Sequence, residues 1–263
     1  MRSARSIRGT PSDCQPAVHA LVNAWLINVQ AVLLPPYCVL CGGAGQRPVL
    51  DLCEPCAAEL PWNRVACARC AAPLPAGTPA GSLCGDCLRR PPRFARALVP
   101  FHYAYPLDRL VKDFKYHGRL AYGRVLGTLC VQHLRAHAGP LPELLVPVPL
   151  HPARHRERGF NQSGEIARHV AAALGITLDE RLCRRARATV DQTTLSARER
   201  RQNLRGAFVL ERKPAASHIA ILDDVLTTGS TANELARTLL RGGVKQVSVW
   251  AVARATPVHS ANR

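Results

Sequence analysis

The chain has 263 residues, of which 47% are hydrophobic, and it carries a formal net charge of +17. This hydrophobic share excludes a wholly disordered chain, and the length allows one α/β domain together with a small additional module. The excess of positive charge favours a polyanionic partner, either nucleic acid or a phosphorylated ligand. Because the chain contains four lysines and arginine supplies the rest of this charge, a bias in genomic base composition is a competing explanation.

The N-terminal segment resembles a signal peptide or a membrane span, since arginines precede an apolar run over residues 18–34. However, His19, Asn23 and Gln30 fall on one side of a helix. The pattern therefore predicts an amphipathic helix over 17–33 after a disordered start, without stable membrane insertion. No small-residue cleavage site follows it, so we expect a cytoplasmic protein. Composition predicts three parts: residues 1–34 (tail and helix), 35–92 (cysteine-rich module) and 93–263 (α/β domain).

Eight of the eleven cysteines form C-x-x-C pairs, which are Cys38/Cys41, Cys53/Cys56, Cys67/Cys70 and Cys84/Cys87. One such pair can bind Zn²⁺ from a tight turn, and two pairs complete a tetrahedral Cys₄ site. The simplest assignment places one zinc on the first two pairs and a second on the last two, although interleaved pairing is also open. All four positions of each site would be filled, which predicts structural zinc. A redox C-x-x-C normally stands alone, so the repeat indicates a reducing compartment.

Residues 93–263 alternate between strand and helix patterns. The predicted strands are 97–103, 144–148, 219–222 and 247–252, and the predicted helices are 107–116, 121–137, 164–174 and 232–241. Such alternation predicts an α/β fold with a mainly parallel sheet and helices on both faces.

The segment Ile219–Thr231, IAILDDVLTTGST, is the most informative part of this domain. An apolar strand leads into two carboxylates, and a hydroxyl-rich loop around one glycine follows before a helix begins. Backbone N–H groups at a helix N-terminus bind anions, and glycine permits close approach of a ligand. The segment therefore predicts a phosphate-binding loop beside carboxylates that suit sugar hydroxyls, whereas a TGST turn alone would indicate an ordinary helix cap.

ILDDVLTTGST resembles the PRPP-binding signature of type I phosphoribosyltransferases, where PRPP is phosphoribosyl pyrophosphate. Together with the cysteine module, the chain resembles the ComF family over roughly residues 35–254. Further matching blocks are DFKYHGR (113–119), VPVPLHPARHRERGFNQSGEIA (146–167) and QTTLSARERRQNLRGAF (192–208). The resemblance implies a type I phosphoribosyltransferase fold preceded by a double zinc ribbon.

The resemblance also implies roles for individual residues. Asp223 and Asp224 would bind the ribose hydroxyls of PRPP and act in catalysis, and Mg²⁺ would accompany PRPP. The 5′-phosphate would be held by Thr227, Thr228, Gly229, Ser230 and Thr231. The pyrophosphate site would be bordered by Pro149 and Leu150, with Arg154 and Arg158 as charge partners and Lys115 and Arg200 as further candidates.

Two functions remain open at this point. The ComF resemblance implies a role in competence and in uptake and handling of single-stranded DNA, with DNA-uptake proteins as partners. Arginine-rich segments at 181–187 and 198–205 suit that role. The alternative is an active phosphoribosyltransferase of nucleotide salvage, with an unknown acceptor and no DNA role. Thr227 stands where purine-salvage enzymes often carry an aspartate, which argues against a 6-oxopurine acceptor of that type.

Overall fold

A computed structural model describes residues 35–46, 50–187 and 204–255. The chain divides into two compact units, Met1–Glu54 and Pro55–Arg263, and each is described by itself. The helix predicted over 17–33, the residue Arg200 and most of the block 192–208 lie outside the described residues.

The first unit contains the turn that carries the first cysteine pair. Isolated bridges join Tyr37 to Ala44 and Gln46 to Leu50, so the chain doubles back around the turn. Within it, the Cys38 N–H donates to the Gly43 carbonyl at 2.7 Å. Gly42 has a φ of 76°, a left-handed conformation that glycine adopts without steric cost.

The second unit is built around a parallel sheet. The described elements of the whole chain are, in chain order, α1 Glu54–Ala58, α2 Gly85–Arg89, β1 Arg96–Leu98, β2 Phe101–His102, α3 Leu107–His117, α4 Leu120–His137, β3 Leu144–Pro147, α5 Pro152–Arg158, α6 Gln162–Leu174, β4 Thr177–Leu178, β5 Cys183–Arg185, β6 Phe208–Leu210, β7 His218–Leu226, α7 Ser230–Arg241 and β8 Gln246–Arg254. The sheet order is β1-β8-β7-β3-β4, with β2 also pairing with β8, and all of these pairs are parallel. β5 and β6 form a separate antiparallel pair.

Helices cover both faces of this sheet, as the alternation of the sequence predicts. On one face, Val146, Ile221 and Val249 pack into a core cluster with Leu235 and Leu239 of α7. Side chains of the opposite face are also buried, and there α6 contacts β3 and β7 while α4 contacts β8. Strands buried on both faces read as continuous apolar runs, which explains the composition of β7 and β8.

The strand order reverses direction between β3 and β7. From β3 the chain crosses through α5 and α6 to β4 on one side, whereas from β7 it crosses through α7 to β8 on the other. In open α/β sheets, a crevice forms outside the carboxyl ends of the strands at such a reversal. The segments Pro149–Leu150 and Asp223–Thr231 both lie at this end of the sheet.

The structure departs from the predicted elements in three places. The strand predicted over 97–103 is divided into β1 and β2, because Pro100 between them has no N–H to donate to a ladder. The strand predicted to end before Asp223 continues to Leu226, and it pairs with β8 along that length. The sequence patterns also missed α5 and the short strands β4, β5 and β6.

The segment that carries the third and fourth cysteine pairs, Cys67/Cys70 and Cys84/Cys87, contacts the sheet edge within the second unit. The Ala97 N–H of β1 donates to the Arg69 carbonyl at 2.8 Å. The side chain of Asn63 donates to the Ala71 carbonyl at 3.0 Å and to the Val99 carbonyl at 3.3 Å.

Among the residues that the structure describes, no helix is both long and apolar enough to span a lipid bilayer.

Candidate functional site

The eight paired cysteines form two groups of four. The groups are Cys38, Cys41, Cys53, Cys56 and Cys67, Cys70, Cys84, Cys87, and the four sulfur atoms of each lie within 4.8 Å of one another. The Cys41 and Cys53 sulfurs are 3.7 Å apart, and those of Cys70 and Cys84 are 3.6 Å apart. A Zn–S bond of about 2.3 Å gives a tetrahedron whose sulfurs are separated by ~3.8 Å. Both donor sets fit structural Zn²⁺, and the sequential pairing predicted from the spacing is confirmed.

Electrostatics within the second group oppose the ionisation of all four thiols at once unless a cation is bound. Burial, together with the neighbouring Cys70 thiol, raises the pKa of Cys87, and burial followed by the Cys67 charge raises the pKa of Cys70 to about 11. Burial opposes ionisation of Cys67 too, but backbone N–H donors outweigh it and lower its pKa to about 7. The Cys84 N–H donates to the Cys67 sulfur at 3.2 Å. A bound Zn²⁺ would stabilise all four thiolates together.

The two predicted carboxylates lie near the end of β7 and occupy unlike environments. The Asp223 Oδ1 atom accepts from the Ser163 hydroxyl at 3.1 Å and from the Asp224 N–H at 2.9 Å. Burial and the adjacent Asp224 charge raise the pKa of Asp223 to about 7. Burial opposes ionisation of Asp224 as well, but the charge of Lys115 outweighs it and lowers the pKa of Asp224.

Lys115 brings the last turn of α3 to this carboxylate pair. Its Nζ atom lies 2.6 Å from Asp224 Oδ2, and the two side chains are only 20% and 13% exposed. Burial opposes the charged ammonium, yet the Asp224 charge raises the pKa of Lys115 overall. Lys115 was a secondary candidate from the sequence, and the structure places it in direct contact with the site.

The loop after β7 has the form expected of an anion-binding turn. Gly229 adopts a left-handed φ of 72° and caps α7, whose Asn233 N–H donates to the Gly229 carbonyl at 2.8 Å. The Thr228 and Ser230 hydroxyls are 2.8 Å apart, and the Ser230 N–H is 3.3 Å from Thr228 Oγ1. Thr227 lies in the loop and is exposed, and Thr231 lies in the first turn of α7. The hydroxyls and N–H groups of a helix start are thus gathered beside the carboxylates.

The remaining predicted residues come after β3 in the chain, in the turn at Pro149 and Leu150 and on α5. Pro149 and Leu150 border a cavity of about 530 Å³ whose wall includes Arg184 and Arg185. Arg158 on α5 donates to the Gln162 side chain at 3.3 Å and lies 5.4 Å from the ring centre of Tyr116.

Arg185 on β5 lies within the electrostatic influence of both Arg154 and Asp223. Burial, and then the charge of Arg154, lowers the pKa of Arg185, while the charge of Asp223 acts in the opposite direction. Arg185 also lies 5.7 Å from the ring centre of Phe208. Positive charge from β5 therefore lies within electrostatic range of Asp223.

Comparisons with known proteins identify the cysteine module and the family of the chain. Residues 29–88 match the family model of the double zinc ribbon domain. The DNA utilization protein YhgH of Salmonella typhi is 39% identical over 225 residues, which cover 84% of this chain and 98% of that protein. Competence protein F of Haemophilus influenzae is 36% identical over 179 residues, 65% of this chain and 78% of that protein. The chain belongs to the ComF family.

Solved structures similar to this ComF chain include adenine phosphoribosyltransferase from Leishmania tarentolae. That match is 12% identical with a TM-score of 0.37, and it covers 60% of this chain and 91% of that one. The family assignment rests on the sequence relatives.

Sequence reasoning missed polar residues that support the site of this ComF protein. Ser163 bonds to Asp223, and the Asn161 side chain donates to the Val148 carbonyl at 3.1 Å, which holds the start of the Pro149–Leu150 turn. Both residues belong to the sequence FNQSG, and this polar cluster before an apolar helix was the available signal. Arg185 was noticed as part of a charge cluster, but nothing local indicated that Asp223 would be its neighbour.

Proposed function

We propose that this ComF protein binds PRPP together with Mg²⁺ at the switch point between β3 and β7. The observation that carries the proposal is the joining of two partly buried carboxylates to a hydroxyl-rich helix start, with Lys115 at 2.6 Å from Asp224. Asp223 and Asp224 would accept from the ribose hydroxyls, and residues 227–231 would surround the 5′-phosphate. Carboxylate oxygens and ligand phosphates are the donors that Mg²⁺ takes, so this set of residues fits the ion.

The basic residues across the crevice complete the proposed ligand site. Arg154 and Arg158 on α5 would neutralise the pyrophosphate, beside the turn at Pro149 and Leu150. Mg²⁺, when bound, would offset the charge that develops on departing pyrophosphate. Because Lys115 is already paired with Asp224, PRPP must either share this ammonium or displace it.

The experiment that tests this proposal is a calorimetric titration with PRPP in the presence and absence of Mg²⁺. We expect saturable binding only when Mg²⁺ is present. A pyrophosphate-release assay on the same sample, with nucleobases and single-stranded DNA offered as acceptors, distinguishes a binding protein from an active transferase. Absence of binding in both titrations would reject the assigned site.

We further propose that the protein acts on single-stranded DNA in the cytoplasm, alongside proteins of DNA uptake. The names of its relatives, DNA utilization protein and Competence protein F, support this role, as does the net charge of +17. The described arginines of residues 181–187 offer positive charge to phosphates and planar groups to bases. Arg184 is partly compensated, since its Nε atom lies 2.7 Å from Glu211 Oε1.

The DNA role can be tested while PRPP affinity is measured in parallel, because Arg181 and Arg184 line the cavity beside Pro149 and Leu150. We expect replacement of Arg181, Arg184 and Arg187 by alanine to weaken binding of mixed-sequence oligonucleotides uniformly. The slope of log affinity against log salt should become shallower by about 0.7 for each lost phosphate contact. Arg185 is retained because of its interaction with Asp223. A matched variant that removes the equally exposed charges of Arg109, Arg241 and Lys245 controls for net charge, and an equal effect in both variants would reject a localised DNA surface.

A further inference from the structure

Arg254 is a buried arginine that joins two distant parts of the second unit. It is the last residue of β8, and the residue is 7% exposed. Its Nη1 atom donates to the carbonyls of Leu226, at 2.8 Å, and of Thr227. Its Nε atom donates to the carbonyl of Cys70 at 3.2 Å. One guanidinium therefore bonds both to the start of the phosphate loop and to a zinc-ligand turn.

These contacts give the side chain a positional role. A buried charge is costly unless its donors are satisfied, and backbone carbonyls satisfy this guanidinium from two directions. Leu226 and Thr227 immediately precede Thr228 and Gly229 of the loop, so the direction of their carbonyls affects where the loop N–H groups point. The planar, rigid fork of arginine fixes that direction in a way that a lysine ammonium cannot.

The other end of the bridge depends on the metal. Cys70 supplies a sulfur to the second Cys₄ group, 3.6 Å from that of Cys84, and the next residue, Ala71, has an unfavourable left-handed φ of 53°. For a residue other than glycine this conformation costs about 1 kcal/mol and persists where the surroundings impose it. Zinc bound by Cys70 would hold this turn, and with it the carbonyl that Arg254 contacts.

We propose that Arg254 is a positioning residue through which zinc in the second Cys₄ site raises the affinity of the phosphate loop for PRPP. This inference rests on the proposed PRPP site. The loop and the zinc site are coupled because the Arg254 side chain bonds both to the backbone of the loop and to the backbone of the Cys70 turn. Coupling between two binding sites is reciprocal, so PRPP must raise the zinc affinity of the second site by the same factor.

The first test uses the unaltered protein. Zinc is titrated away at equilibrium with a zinc-selective chelator, at constant Mg²⁺, with and without saturating PRPP. We expect one of the two zinc ions to be held at least about fivefold more tightly when PRPP is present, and the other to be unaffected. If PRPP changes the affinity of neither zinc ion, the inference is overturned. This measurement does not depend on the folding of any variant.

The second test uses Arg254→Met, with Arg254→Lys as the conservative replacement. We expect Arg254→Met to keep two zinc ions, to weaken PRPP binding by about tenfold and to abolish the effect of PRPP on zinc. Arg254→Lys keeps the charge but cannot span both sets of carbonyls, so PRPP binding should recover only in part. Arg96→Met is the matched control, because Arg96 donates to the carbonyls of His137 and Ala138 away from the loop.

The outcomes also separate this inference from the proposed function. If the unaltered protein fails to bind PRPP, the proposed function is wrong and the inference falls with it. If it binds PRPP, and folded Arg254 variants bind PRPP and zinc as the Arg96→Met control does, then the site stands and the positioning role of Arg254 is rejected.

Discussion

The second cysteine group and the carboxylate pair both crowd like charges together, yet they relieve the crowding differently. Among the four thiols, burial and neighbouring thiols raise the pKa values of Cys70 and Cys87, and a metal ion is needed to stabilise the full set of thiolates. At the end of β7, Lys115 neutralises Asp224, while the pKa of Asp223 rises to about 7. The first donor set fits a structural zinc ion, whereas the second carries its own counter-charge, which suits the ligand exchange proposed above.

Under the proposed function, this difference separates a structural site from a ligand-binding one. Four thiolates fill every position of a tetrahedral zinc, which leaves no place for a substrate. The carboxylates lie at a crevice, beside a helix start and an internal ammonium. Removing cysteine ligands should therefore lower the free energy of unfolding, whereas removing the carboxylates should lower the affinity for PRPP.

The largest expected effect follows from replacing Cys70 and Cys84 by serine. The double variant loses its second zinc ion, and we expect a loss of more than about 5 kcal/mol in unfolding free energy, because structural zinc contributes directly to folding. Elemental analysis and chemical unfolding measure both quantities. Cys130→Ala is the control, since this buried thiol belongs to α4 and to neither cysteine group. Retention of two zinc ions in the double variant would contradict the assignment.

The next largest effect is a loss of PRPP affinity, which we expect when Asp223→Asn is combined with Asp224→Asn. Both replacements remove a charged acceptor from the ribose hydroxyls and from Mg²⁺, so the dissociation constant for PRPP should rise about 100-fold. Calorimetry measures the constant, and circular dichroism checks that the variant is folded. Asp108→Asn, which breaks a surface pair with Lys112, should leave affinity unchanged. Unaltered PRPP binding by a folded double variant would remove the carboxylates from the site.

Two lysines on α3 offer a matched test of the counter-charge. Lys115→Met leaves Asp224 without its partner in a partly buried site, and we expect a loss of about 2–3 kcal/mol in unfolding free energy at pH 7. Lys112 pairs with Asp108 at a similar distance of 2.7 Å, but its side chain is 56% exposed. Lys112→Met should therefore cost less than about 0.5 kcal/mol. Equal losses on urea unfolding would show that burial of Lys115 contributes nothing.

The smallest effect concerns pH. Because the pKa of Asp223 is raised to about 7, the folded protein keeps a proton that the unfolded chain releases near pH 4. Its contribution to stability is complete below about pH 4 and is lost as the pH rises towards 7. We expect this loss to be about 1–2 kcal/mol, less than the full shift implies because the side chain is partly exposed. The difference in stability between the wild type and Asp223→Asn should change across this window, and a constant difference would contradict the raised pKa.

Features encoded within a few residues could be predicted from the sequence. Each C-x-x-C turn carries its own ligand spacing, and the strand, carboxylates, loop and helix of 219–231 are contiguous, so their assembly needs no distant partner. The β3 and β7 strands were recognisable because burial on both faces produces continuous apolar runs.

Features that depend on distant contacts could not be predicted. Lys115 and Asp224 meet because the fold brings the last turn of α3 to Asp224, and no local pattern records that contact. Arg254 lies two residues beyond the strand predicted over 247–252. Its bonds to Thr227 and Cys70 arise from the docking of the second ribbon on the sheet edge. The helix α5 was missed because its sequence, PARHRER, has no apolar periodicity.

The most direct test of this account is calorimetric titration of the zinc-loaded protein with PRPP, performed with and without Mg²⁺. The account predicts one saturable PRPP site per chain with Mg²⁺ and no measurable binding when Mg²⁺ is omitted, with zinc content constant throughout. Absence of binding by the folded protein under both conditions, or equal affinity with and without Mg²⁺, would contradict the assignment of the carboxylate pair and phosphate loop as a Mg²⁺–PRPP site.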